Sequence, residues 1–180
     1  MNAPSPLAVE EFRALRATIR ERGSQRLWLI WLGFAVWGTL VLASMALALW
    51  PIATLLPLLI LFVTFESAFA IHTAVERIGR YLQVFHERDG EQGRGWEHQT
   101  MAFGQAFPGV GSDPLMAVEF LLATALNFIA LALSDAVPIE YGVIGGLHVL
   151  FGVRIIQARR QAGRQRAKDL DRFTQLQQRS

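Results

Sequence analysis

The sequence predicts an all-α membrane protein with four transmembrane helices arranged as two helical hairpins. The 180-residue chain is 52% hydrophobic and only 18% charged, whereas soluble domains carry about 25% charged residues. No charge lies between Arg26 and Glu66 or between Glu119 and Asp135, and uncharged stretches of that length are typical of membrane spans. All 17 Lys and Arg residues fall on one predicted side of these spans, which favours a single orientation in the membrane.

Residues 1–26 are predicted to form a cytoplasmic segment with an amphipathic helix over 7–23. Four apolar residues recur there on one helical face; they are Ala8, Phe12, Leu15 and Ile19. Gly23 is expected to loosen the junction with the first span. Because the first apolar run is longer than a signal-peptide core, we expect it to be retained.

The first transmembrane hairpin is predicted over residues 27–71. Its two spans cover about 27–49 and 52–71, joined by a tight turn at Trp50 and Pro51. Tryptophans at both ends of the first span are typical of the aromatic belts at membrane interfaces; they are Trp28, Trp31 and Trp50.

Residues 72–114 are predicted to be a cytoplasmic helix extension followed by a Gly/Pro-rich loop. The second span continues to about His86 with an apolar stripe spaced four and three residues apart, as in a helix–helix seam. The stripe consists of Ile71, Val75, Ile78, Leu82 and Phe85. The loop covers 89–114, and a short interfacial helix is expected over 96–103. Packing with the other amphipathic segments, or contact with the lipid surface, would each cover the stripe.

The second transmembrane hairpin is predicted over residues 115–157. Its spans cover about 115–133 and 139–156, and the sequence Ser-Asp-Pro at 112–114 is typical of a helix start. The short turn between these spans carries Asp135 and Glu140. A basic cytoplasmic helix is predicted over 158–180.

The basic residues predict that both termini lie in the cytoplasm of a bacterium, with the chain crossing the inner membrane several times. Five arginines precede the first span, four lie between the hairpins, and eight Lys or Arg residues lie at or after the end of the fourth span. The two predicted outer turns carry none, so the positive-inside rule places the basic segments together.

Two short motifs, Arg77-Ile-Gly-Arg-Tyr-Leu82 and Gly95-Trp-Glu97, are the most specific part of a resemblance that extends from about Glu11 to Arg160. They resemble a group of uncharacterised small bacterial integral membrane proteins. The resemblance implies a four-span protein with cytoplasmic helices, and no activity is carried over from it.

Three charged residues are predicted to share one depth in the membrane on three different spans. At ~1.5 Å per residue, Glu66 and Arg154 each lie roughly 22 Å from the outer turn of their hairpin, and Glu119 lies about 7 Å below the cytoplasmic surface. Unpaired charge at such depth is costly. We expect Glu66 to contact Arg154 or Glu119, either as a structural polar cluster or as part of an ion or proton path.

Two further features concern packing between helices. Asn127 and His148 both fall in the outer half of the membrane, where such side chains often form hydrogen bonds between helices; a proton or metal role for His148 stays open. Gly142 and Gly146 form a GxxxG pattern that lets another helix approach closely.

The sequence contains no motif that indicates an enzyme, and we predict no catalytic, cofactor-binding or metal site. His72 and Glu76 share a helical face, but a metal site needs three or four ligands. The basic C-terminal segment is predicted to contact anionic lipid headgroups and not nucleic acid.

These observations favour a non-enzymatic structural or interaction protein of the inner membrane that self-associates through its transmembrane and cytoplasmic helices. The alternative is a small ion channel or proton-coupled transporter that uses Glu66, Glu119 and Arg154.

Overall fold

The computed structural model describes residues 5–47, 50–87, 95–106 and 116–179, and five α-helices make up nearly all of these described residues. No strand occurs within these ranges, so the predicted all-α class is confirmed. The helices are α1 (Pro6–Ala46), α2 (Leu55–Phe85), α3 (Trp96–Ala106), α4 (Ala117–Ala132) and α5 (Pro138–Arg179), and a 3₁₀ turn (Pro51–Thr54) precedes α2. The predicted helix start at 112–114 lies outside the described residues.

Three of these helices are long and apolar enough to cross a membrane. The most apolar 18-residue windows of α1, of α2 with its 3₁₀ turn, and of α5 have mean hydropathies of 1.9, 2.0 and 1.5. Helix α4 is apolar but shorter, at 16 residues. Large apolar side chains are exposed on these helices, among them Trp28 at 76%. Such surfaces on a protein are typical of a membrane contact.

The long helices continue from their apolar segments into the charged parts of the sequence. Helix α1 passes through Gly23 without interruption, where a loosened junction was expected, and α5 joins the predicted fourth span to the basic C-terminal segment. A glycine inside a helix lowers its stability by about 1 kcal/mol relative to alanine. The other residues of α1 favour a helix strongly enough to outweigh this loss. The stripe-bearing extension of the second span is also one helix with it, ending at Phe85.

Backbone contacts divide the chain into two units, and the division falls within α1, α2 and α5. An apolar unit contains Arg26–Ala70 and Asp113–Gln161, and a charged unit contains Met1–Gln25, Ile71–Ser112 and Ala162–Ser180. The domain organisation predicted from the sequence stays a prediction.

The core of the apolar unit is a cluster of phenylalanines contributed by four helices. The ring centroid of Phe65 on α2 lies 5.2 Å from that of Phe120 on α4 and 5.9 Å from that of Phe151 on α5. Phe34 on α1 reaches Phe120 at 5.1 Å. Phe65 and Phe120 are 1% and 0% exposed, and aromatic pairs at these separations stabilise a core beyond their buried area.

The starts of α5 and α4 each have a distinct local feature. Pro138 begins α5, and the Glu140 carboxylate accepts a hydrogen bond from the Val137 backbone N–H at 2.9 Å. This is the reciprocal half of a capping box. At the start of α4, Met116 has a positive φ of 49°, a conformation that non-glycine residues rarely adopt.

Helices α1 and α2 approach closely at Gly33. A Cβ atom at this position would overlap the Thr64 side chain and lie 2.9 Å from the Thr64 Cβ, whereas a Cβ at Gly38, on the same helix, would meet nothing within 4 Å. Only a residue without a side chain therefore allows the observed approach at position 33.

We predict that Gly33→Ala lowers the free energy of unfolding by about 1–3 kcal/mol, because overpacking displaces neighbouring atoms. Gly38→Ala is the matched control and should be neutral or stabilising by up to about 1 kcal/mol. Thermal unfolding of the purified variants in detergent measures both. Equal effects at the two positions would contradict the close approach.

Candidate functional site

The most prominent polar contact of the apolar unit is an ion pair between Glu66 on α2 and Arg154 on α5. Nη2 of Arg154 donates a hydrogen bond of 2.8 Å to Oε2 of Glu66. Nε of Arg154 lies 2.8 Å from Oε1, a contact between opposite charges that is not a hydrogen bond. The two side chains thus face each other through the side edge of the guanidinium, which matches a carboxylate.

The surroundings of this ion pair are apolar, but both of its side chains are partly exposed. The side chains of Arg154 and Glu66 are 29% and 30% exposed, and the Arg154 Cζ lies 5.2 Å from the centroid of the Phe69 ring. A cation at this distance is attracted to the ring face. The Arg154 guanidinium is therefore in contact with one carboxylate and one aromatic ring.

The third residue of the predicted cluster, Glu119, lies apart from this pair. Its side chain is exposed, and within the described part of the chain it forms neither a hydrogen bond with Glu66 nor an ion pair with Arg154. The reason is the rotation of α4, since Ala117 and Phe120 face the core and turn position 119 outward. The structure brings together two of the three residues.

The second predicted polar pair forms a buried network that joins three segments of the apolar unit. The Asn127 amide on α4 donates to the Thr54 carbonyl at 3.1 Å and lies 2.9 Å from His148 Nε2 on α5. His148 Nδ1 lies 2.8 Å from the Ile144 carbonyl oxygen. The carbonyl can only accept, so Nδ1 carries the proton and Nε2 accepts from Asn127. This arrangement uses both ring nitrogens for helix packing.

The charged unit contains a network that the sequence did not predict, centred on Glu76. Oε2 of Glu76 accepts hydrogen bonds from Arg80 Nη2 at 3.0 Å and from Arg166 Nε at 2.8 Å. Nearby, Asp169 accepts from Gln165 at 2.8 Å and lies 3.6 Å from Arg77. The Glu76–Arg80 spacing of four residues is a helical-pair signal, but no sequence signal links Glu76 to a residue 90 positions away.

The position of Glu76 beside two arginines shifts its proton affinity. Burial raises the pKa of Glu76, but the guanidinium groups of Arg166 and Arg80 outweigh burial and hold the pKa below its usual value of 4.5. Glu76 lies outside the predicted span 52–71.

His72, on the same helix, is buried in the charged unit. No group of three or more metal-ligating side chains occurs among the described residues.

The two sequence motifs that carry the resemblance meet through a second network in the charged unit. The Glu87 carboxylate accepts from the backbone N–H of Glu97 at 3.0 Å, at the start of α3, and Arg16 donates to Glu97 at 2.9 Å. A Cβ at Gly79 would lie 3.0 Å from the Glu97 carboxylate, and a Cβ at Gly95 would overlap Glu87. Both glycines therefore make room for a carboxylate.

The predicted apolar stripe of α2 is covered within the charged unit. Leu82 is 0% exposed, and Ile71, Val75, Ile78 and Phe85 are half-buried. The Phe85 ring lies 6.3 Å from that of Phe173 on α5. The stripe thus packs against other segments of the same chain.

The predicted GxxxG pair of α5 has a different environment. Gly142 and Gly146 are exposed, and a Cβ at either position would meet nothing within 4 Å. The helix surface at these two residues is therefore open.

We predict an interaction free energy of about 1–2 kcal/mol between Glu66 and Arg154 in a double-mutant cycle. The cycle compares Glu66→Gln, Arg154→Gln and the double variant by unfolding in detergent. The exposed Glu10–Arg13 pair is the control, with about 0.2–0.5 kcal/mol expected for a surface pair on one helix. A Glu66–Arg154 coupling no larger than this control would contradict a stabilising role.

We predict that Glu76 stabilises the protein in a pH-dependent manner. Because its folded pKa lies below 4.5, the stabilisation is fully present above pH 4.5 and is lost as the pH falls through the folded value. Glu76→Gln should therefore cost about 1–2 kcal/mol at pH 7 and progressively less from pH 4.5 downward, in thermal unfolding at stepped pH. Glu10→Gln, at an exposed position, is the control, and a cost for Glu76→Gln that does not change with pH would refute the mechanism.

Comparisons of this chain with models of protein families, with curated proteins and with solved structures find no match. The resemblance to bacterial four-span membrane proteins therefore stays a prediction.

Proposed function

We propose that this chain is a four-span protein of the bacterial inner membrane that acts as a non-enzymatic structural or interaction protein and self-associates. The observation that carries this proposal is the open surface of α5 at Gly142 and Gly146. Large apolar side chains flank it, with Val143 58% and Ile139 74% exposed. In lipid, small residues in such a position allow two helices to approach closely.

The four-span arrangement is supported by α4 as well as by the three long helices. Sixteen residues extend about 24 Å at 1.5 Å per residue, which a locally thinned bilayer accommodates at modest cost. Its core face packs with the helices that do reach full span length. Both termini are assigned to the cytoplasm because all 17 Lys and Arg residues then lie on that side.

The apolar stripe of α2 is less accessible to a partner than the surface of α5 at Gly142 and Gly146. Leu82 is fully buried and Phe85 already contacts Phe173, so this apolar area is used within the chain. We therefore assign self-association to the transmembrane part of α5 and assign the cytoplasmic helices to holding the charged unit together.

The basic part of α5 is proposed to contact anionic lipid headgroups. Arg160, Arg164 and Lys168 are exposed, and each cation near an anionic membrane surface contributes about 1 kcal/mol to the attraction. Arg166 differs from them, because its guanidinium is bound to Glu76.

A channel or transporter is the second candidate, and the Glu66–Arg154 pair is the observation that favours it. Ionisable residues in membrane helices often mark ion or proton paths. The cavity that reaches Arg154 is, however, otherwise lined by leucine and phenylalanine. Proteoliposome flux separates the two candidates: a transporter should lose flux on Glu66→Gln, whereas a structural protein should show no flux with or without the change.

We predict that Gly146→Leu weakens self-association by about tenfold, equivalent to about 1.4 kcal/mol, because the added side chain keeps the helices apart. Gly38→Leu is the matched control, since its Cβ position on α1 is also open. Crosslinking and mass measurement in detergent follow the oligomer. A monomeric wild-type protein, or an equal loss in both variants, would overturn the assignment to α5.

A further inference from the structure

A groove on the surface of the apolar unit runs between α2 and α5 and reaches the guanidinium of Arg154. Its volume is about 520 Å³. Helix α2 contributes Leu59 and Phe62 to its walls, and α5 contributes Leu147 and Leu150, which are between 40% and 64% exposed. Along α5, the seven steps from Leu147 to Arg154 extend about 10 Å, so the groove is elongated, apolar and charged at one position.

The guanidinium of Arg154 has hydrogen-bonding capacity that its protein partner does not use. Glu66 occupies the side edge, formed by Nε and Nη2. Nη1 forms no hydrogen bond within the described part of the chain, and it is not among the buried polar atoms that lack a partner. The end edge, formed by Nη1 and the second hydrogen of Nη2, is therefore accessible for a second anion.

The chemistry of this edge specifies the kind of ligand. Two parallel N–H groups of a guanidinium bind a phosphate through two hydrogen bonds. An apolar groove beside them suits an acyl chain, because the chain buries apolar surface against leucine and phenylalanine. A molecule that satisfies both is an anionic amphiphile with a phosphate next to its chains.

Charge complementarity favours a lipid with net negative charge. Between Arg154 and the end of the apolar unit at Gln161, α5 carries two further cations, Arg159 and Arg160, and no acid. The ion pair of Arg154 with Glu66 is neutral in sum, so the local preference for an anion comes from these additional cations, each of which attracts an anionic surface.

We propose that the groove between α2 and α5 binds an anionic glycerophospholipid, with one acyl chain along the groove and the phosphate at the end edge of Arg154. The proposal rests on the membrane location proposed above. It assigns to Arg154 a lipid-binding role in addition to its pairing with Glu66.

Native mass spectrometry of the delipidated, detergent-purified full chain tests the proposal, with phosphatidylglycerol and phosphatidylcholine of identical acyl chains as probes. We expect phosphatidylglycerol to bind about tenfold more tightly, the effect of about 1.4 kcal/mol. Leu150→Trp, which fills the groove, should abolish this preference, whereas Leu122→Trp, at an exposed position of α4 outside the groove, should retain it.

A second pair of variants separates the Arg154 contact from general attraction to cations. Arg154→Lys keeps the charge but loses the two-pronged edge, so it should weaken the binding of both lipids, whereas Arg160→Gln should lower the preference for phosphatidylglycerol and leave phosphatidylcholine binding nearly unchanged. Equal binding of the two lipids by the wild type, or equal effects of Leu150→Trp and Leu122→Trp, would overturn the groove as the site. Binding of inorganic phosphate with the affinity of the lipid would also overturn it, because the acyl chain would then contribute nothing.

The failure of the membrane proposal can be recognised separately. Release of the wild-type protein from membranes by alkaline carbonate would overturn the proposed location. Retention in the membrane together with equal binding of both lipids would overturn only the groove.

Discussion

The pairing of Glu66 with Arg154 is the interaction on which the apolar unit depends, because it allows two charges to occur on helices that are otherwise built for lipid. A lone carboxylate or guanidinium in such surroundings would need water or a large shift in protonation. Joined by a hydrogen bond of 2.8 Å, the two groups neutralise each other and link α2 to α5 at a defined position along both helices. The Asn127–His148 contact of 2.9 Å does the same for α4 and α5 with neutral groups.

Charged side chains also pair with one another in the charged unit. There the polar groups are numerous, and carboxylates are shared between cations from different segments, as Glu76 is shared by Arg80 and Arg166. Such networks define how segments pair, whereas the buried area of Leu82 and its aromatic neighbours stabilises the packing. Glycines at 79 and 95 complete the arrangement by giving carboxylates room.

Much of the fold could be predicted because apolar runs, tryptophans and the spacing of the α2 stripe are local signals. The three long helices are confirmed, and the partnership of Glu66 with Arg154 could be anticipated by counting helical rise from the turns. The exposure of Glu119 could not be predicted, because it depends on how α4 rotates to bury Phe120 against Phe65. The Glu76–Arg166 contact joins residues 90 positions apart, and no periodic pattern encodes it. The continuity of α1 through Gly23 was also not predicted. A glycine lowers the stability of a helix, but it does not indicate whether the neighbouring residues compensate.

The central claim is that the chain crosses the inner membrane four times with both termini in the cytoplasm, and its direct test is cysteine labelling. The chain contains no cysteine, so single replacements report their own position without background. In spheroplasts treated with a membrane-impermeant maleimide, Asp135→Cys should react before lysis, and Gln178→Cys should react only after lysis. Labelling of Gln178→Cys in intact spheroplasts, or protection of Asp135→Cys until lysis, would contradict the proposed topology.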